Sequence, residues 1–118
     1  MLARAVELAR AEPVRVVQGD LTRDVRALAE KAPANATLVI FHSAVLAYLD
    51  DFGRGMFRRQ VAELMARRHT VWLSNEGPGV VVGLDVPHGP GPFVLARDGR
   101  ALARTSPHGD WLDWMEAA

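Results

Sequence analysis

Apolar positions along the chain follow two periods, and their order predicts a mixed α/β protein. Leu2, Ala5, Val6 and Ala9 recur at helical spacing up to Glu12, where Pro13 ends the helix by driving its neighbour out of the α region. Val14-Arg15-Val16-Val17-Gln18 is short and β-branched, and Gly19-Asp20 closes it, which predicts a strand and a tight turn. Thr22 then caps a predicted helix carrying Val25, Leu28, Ala29 and Ala32 on one stripe, closed by Pro33 and Asn35.

Thr37-Leu38-Val39-Ile40-Phe41 is apolar without alternation, the pattern of a strand covered on both faces in a parallel sheet. After His42-Ser43 a short helix is expected over Ala44 to Leu49, and Asp50 or Asp51 opens the next helix. Phe57, Val61, Leu64 and Met65 share one face of that helix and should lie on the sheet. Thr70-Val71-Trp72-Leu73-Ser74 repeats the strand signal, and Asn75-Glu76-Gly77-Pro78-Gly79 leaves it in a loop.

Gly and Pro crowd the stretch from Gly77 to Pro92, which predicts a long surface loop with Val80-Val81-Val82 as its one short apolar piece. Phe93–Arg97 and Arg100–Arg104 flank Asp98-Gly99, and that dipeptide supplies the positive φ angles of a two-residue hairpin. Trp111, Leu112, Trp114 and Met115 suggest a terminal helix packed back on the domain. The expectation is one α/β domain over residues 1–118, with three parallel strands and their helices followed by an antiparallel C-terminal hairpin. In such sheets ligands gather at the carboxyl ends of the strands, here Gln18-Gly19-Asp20, His42-Ser43 and Ser74-Asn75-Glu76.

Composition narrows the chemistry. With 14 basic and 14 acidic residues the net charge is zero, which offers no footprint for a phosphate backbone, so nucleic acid is not an expected partner. The absence of Cys removes disulfides, thiol nucleophiles and Cys-ligated zinc. No apolar run nears the roughly 18 residues that span a bilayer, and Met1-Leu2-Ala3-Arg4 does not open a signal peptide, so the expectation is a cytoplasmic protein away from the membrane.

His42 is a candidate general base, and Glu76 can pair with it if their strands are neighbours. The alternative is structural: Ser43 caps a helix, His42 is a hydrogen-bonded side chain, and Asn75-Glu76 is turn chemistry before Gly-Pro-Gly. Ser43 lacks the flanking glycines of a hydrolase nucleophile elbow. Asp20 can accept from a ribose hydroxyl or a base amino group, or can start the following helix. His69 enters its strand at the opposite end, and His88 lies in the Gly/Pro loop. A metal-dependent hydrolase would require His42, Glu76 and His108 to meet through the fold, because no His pair has metal-ligand spacing. Gly77-Pro78-Gly79 with Gly83 does not match a dinucleotide fingerprint, and Arg54, Arg58, Arg59, Arg67 and Arg68 read as a solvated helix face.

Val16-Val17-Gln18-Gly19-Asp20-Leu21, the run Ala36 to Tyr48 containing FHSAVLAY, SNEGPG from Ser74 to Gly79, Asp98-Gly99-Arg100, and Ser106-Pro107-His108-Gly109 resemble the C-terminal part of the bacterial "domain of unknown function 2332" family. The resemblance covers nearly the whole chain. It implies a Rossmann-like partial sheet similar to the C-terminal half of a class I methyltransferase, with Asp20 near the adenine side and His42 near the reaction centre. The Gly-rich cofactor turn and the acidic residue after the second strand of that fold have no counterpart here. The expected protein is therefore a truncated S-adenosylmethionine-dependent methyltransferase-like domain. Its catalytic candidates are His42 and Glu76, and its cofactor-binding candidates are Asp20, Ser43 and Asn75. No cofactor is expected on the isolated chain, S-adenosylmethionine entering only by analogy. The alternative is a non-catalytic assembly module. A homodimer or a separate N-terminal half is expected to cover the sheet edge that the absent strands would fill.

Overall fold

The computed structural model describes residues 2–86 and 91–115. Helix α1 (Leu2–Ala11) ends two residues before Pro13, as its sequence predicts. After Gly19 the Asp20 carboxylate accepts from the Thr22 amide and hydroxyl, and a single short helix follows, α2 (Val25–Ala29). Strand β1 (Leu38–Ser43) leads through a 3-10 turn (Leu46–Tyr48) into α3 (Asp51–Arg67), whose first turn is capped by Asp50 accepting from the Gly53 amide at 2.7 Å. Strands β2 (Thr70–Glu76), β3 (Phe93–Arg97), β4 (Arg100–Thr105) and β5 (Leu112–Trp114) complete one sheet in sequence order from β1 to β5.

Only β1 and β2 run parallel; every later pair is antiparallel. The expected first strand is the main departure. Val14 to Gln18 forms no ladder and makes no backbone hydrogen bond with any described residue. Strand propensity is realised only against a partner, and no described strand pairs with the segment. The sheet therefore has one parallel pair rather than three parallel strands. The expected C-terminal helix is also replaced: Leu112 and Trp114 pair with Thr105 and Ala103, because the three-residue stretch Leu112-Asp113-Trp114 after a Gly109 turn is too short to nucleate a helix but long enough to add to an open edge.

The Asp98-Gly99 hairpin forms as predicted, with φ of 51° and 80° at its two turn residues. Its turn is fastened to β2, where the Trp72 amide donates to the Asp98 carboxylate and the Asp98 amide donates to the Trp72 carbonyl. Phe57, Val61 and Leu64 of α3 are buried on the sheet as their spacing predicts, while Met65 at the margin of the stripe stays partly exposed. Trp72, Leu46 and Val81 close the same core, so the Gly/Pro-rich stretch is not wholly a surface loop. His88 lies outside the described residues. The core covers one face of the sheet; on the other, Val39 and Phe41 of β1 reach solvent. Among the described residues no helix is long and apolar enough to cross a membrane.

Candidate functional site

The parallel register sets Ser43 beside Asn75 and His42 beside Ser74 at the carboxyl ends of β1 and β2. Side chains alternate across a strand, so this one strip of backbone supplies two separate sets of groups. His42, Trp72, Ser74 and Glu76 point into the core beneath α3 and are buried. Ser43 and Asn75 point to the open face.

On the core face His42 Nδ1 lies 2.7 Å from Glu76 Oε2. The other ring nitrogen, Nε2, accepts from the Trp72 indole N–H at 3.0 Å. Since the indole can only donate, Nε2 carries no proton, and the proton on Nδ1 is given to Glu76. The imidazole is packed edge-on against Phe57, with centroids 5.1 Å apart, and stacks on Trp72. The Arg58 guanidinium lies over the indole, 5.1 Å from its centroid.

Glu76 also accepts from the amides of Val45 and Leu46. These two N–H groups are aimed at it because Ala44 takes a left-handed backbone, φ 56°, immediately after β1. Burial of the carboxylate acts to raise its pKa, but the hydrogen bond from His42 and the amides of Val45 and Leu46 outweigh it and hold the group below the ordinary glutamate value. Both nitrogens of His42 and both oxygens of Glu76 are thus already used within the protein. The arrangement ties β1, β2 and the turn after β1 together, and it leaves neither ring nitrogen free to take a proton from a substrate. A cleft of about 320 Å³ between α3 and the loop after β2 is lined by Leu46, Arg54, Phe57, Trp72 and Val81, without His42 or Glu76.

On the open face Asn75 donates to the Ser43 hydroxyl at 3.1 Å and accepts from Thr105 at 2.7 Å. This polar row borders a shallow cleft of about 440 Å³ walled by Phe41, Leu95, Trp111 and Leu112. Asp20 shares no cleft or hydrogen bond with either group. Its side chain is 44% exposed, and the hydrogen bonds from the Thr22 hydroxyl and amide hold its pKa below the ordinary value. His108 is exposed in the turn after β4, and among the described residues no three His, Asp or Glu side chains gather as a metal site.

A family model described as an uncharacterized protein conserved in bacteria (DUF2332) matches residues 1–114. The chain belongs to that family. No curated protein and no solved structure matches it. In this DUF2332 chain Trp72 and Thr105, neither of them a candidate from the sequence, complete the hydrogen bonding of His42 and Asn75. For Trp72 a signal existed: residues 72, 74 and 76 of one strand share a face, so any reading that places Glu76 beside His42 places Trp72 within reach too.

Proposed function

We propose that this DUF2332 chain is a non-catalytic assembly module that associates with a second copy of itself. The supporting observation is β1: its sequence is that of a strand covered on both faces, yet only one face is covered. Val39 and Phe41 stand 54% and 62% exposed, and no described strand pairs with the outer edge of β1. A net charge of zero sets no long-range repulsion against self-association. The closed hydrogen bonding of His42 and Glu76 fits a structural role for that pair. Light scattering on a size-exclusion column is expected to give a particle of two 12.9 kDa chains at micromolar concentration. A monodisperse monomer would overturn the proposal.

A second reading, the truncated methyltransferase-like domain, is favoured by the cleft beside Asn75, since ligands collect at the carboxyl ends of parallel strands. Calorimetric titration with S-adenosylmethionine and with its demethylated product separates the two: silence in both is expected for the assembly module, and saturable heat would support the second reading.

A further inference from the structure

Helix α1 has no buried residue, and its stripe of Leu2, Val6 and Ala9 lies open. A helix of ten residues without tertiary packing is marginal in water, because few hydrogen bonds offset the cost of its nucleus. Val14 and Val16 follow, 81% and 89% exposed, in a segment of strand-forming composition with unpaired backbone. Residues 2–18 are therefore an arm holding a helix without a surface and a strand-prone segment without a sheet. The Cα radius of gyration, 15.5 Å, exceeds the value of about 13.5 Å expected for a compact chain of this length, as an undocked arm requires.

The sheet has the complementary vacancy. Leu38 and Ala44 bond with their amides to the carbonyls of His69 and Asn75 on the β2 side. By alternation Val39, Phe41 and Ser43 turn their N–H and C=O groups to the free edge. The side chains of Val39 and Phe41 also form the uncovered face, whereas α2 lies with α3 on the covered one, held by Gln60 bonding the Arg26 amide and the Leu21 carbonyl.

From this complementarity we infer that two copies exchange arms: Val14–Gln18 of each adds as a strand along the outer edge of β1 in the other, and α1 covers Val39 and Phe41. The inference rests on the self-association proposed above and names the segments that carry it. The exchange is reciprocal and closes on a two-fold axis, so each copy gives one arm and receives one.

The absence of native Cys permits a direct test. Val16→Cys is combined with Phe41→Cys in one variant and with Val39→Cys in another, so that two registers are sampled, and both are oxidised with Val16→Cys alone as control. Neighbouring strands bring Cα atoms to about 5 Å, within disulfide range. The expected result is a two-chain species on a non-reducing gel for at least one double variant and little for the control. Val16→Pro removes a ladder donor without removing any backbone hydrogen bond of the single chain, and it is expected to weaken dimerisation roughly tenfold or more with the circular dichroism spectrum retained. A disulfide closed within one chain overturns the exchange, because the arm then returns to its own sheet. A wild-type dimer that Val16→Pro leaves intact and neither pair cross-links overturns the exchange but spares self-association. A monomeric wild type overturns both.

Discussion

His42 and Glu76, 34 residues apart, meet in a 2.7 Å hydrogen bond that neither side chain shares with solvent. The contact is possible because parallel pairing sets the two strand ends side by side and period-2 alternation turns both side chains to the core. What surrounds it decides its character. Trp72 occupies the second imidazole nitrogen, and two backbone amides occupy the carboxylate, so the pair works as a fastener between strands and turn.

Glu76→Gln keeps the volume but leaves one carbonyl oxygen facing three donors, with an amide N–H₂ set against them. A loss of about 2–3 kcal/mol in unfolding free energy is expected from urea denaturation. A change within experimental error would show that the buried carboxylate is not what joins β1 to the following turn.

The same group makes stability depend on acid. Because the folded state holds Glu76 below the ordinary glutamate value of about 4.5, its contribution is complete above that value and is lost as pH falls through the lower folded one. Asp20 acts in the same direction, but its exposed side chain gives it little weight. Urea midpoints measured from neutral pH downwards should stay level until near pH 5 and then fall, and Glu76→Gln should flatten the fall. Parallel profiles for the two proteins would remove Glu76 from the account.

Trp72→Phe deletes the indole N–H and leaves His42 Nε2 buried with nothing to accept from. The expected cost is about 1–3 kcal/mol for the unpaired nitrogen, with a further loss from the smaller ring. Nitrogen-15 spectra of the histidine side chains should show Nδ1–H as the wild-type His42 tautomer and a changed signal in the variant. A wild-type Nε2–H tautomer would contradict the Trp72 hydrogen bond.

Ser74 offers the opposite case. The residue is 1% exposed between His42 and Ala96, and its hydroxyl has no hydrogen-bond partner among the described residues. Ser74→Ala should therefore be neutral or stabilising by a few tenths to about 1 kcal/mol, since the folded state loses only an unsatisfied group. Thermal melts that show a clear loss would mean that the hydroxyl has a partner.

Much of the fold was legible because its causes are local. Asp98-Gly99 encodes its own turn through φ, the stripe of Phe57, Val61 and Leu64 encodes the buried face of α3, and the apolar runs ending at Phe41 and Ser74 mark β1 and β2. The candidate site was legible in part: the neighbouring strand ends bring His42 to Glu76 and Ser43 to Asn75, while Asp20 joins neither pair.

What sequence alone determined, then, is where helices, turns and strand-prone segments lie, since these follow from backbone angles and side-chain periodicity within a few residues. Only the tertiary structure decided which strand-prone segments become strands and what each polar group bonds. Val14–Gln18 and Leu112–Trp114 show the difference: both are short strand-prone stretches, and the second became β5 on the edge of β4, while the first pairs with no described strand. A strand's hydrogen bonds are made to another part of the chain, so its existence is a property of the assembled sheet and not of the segment.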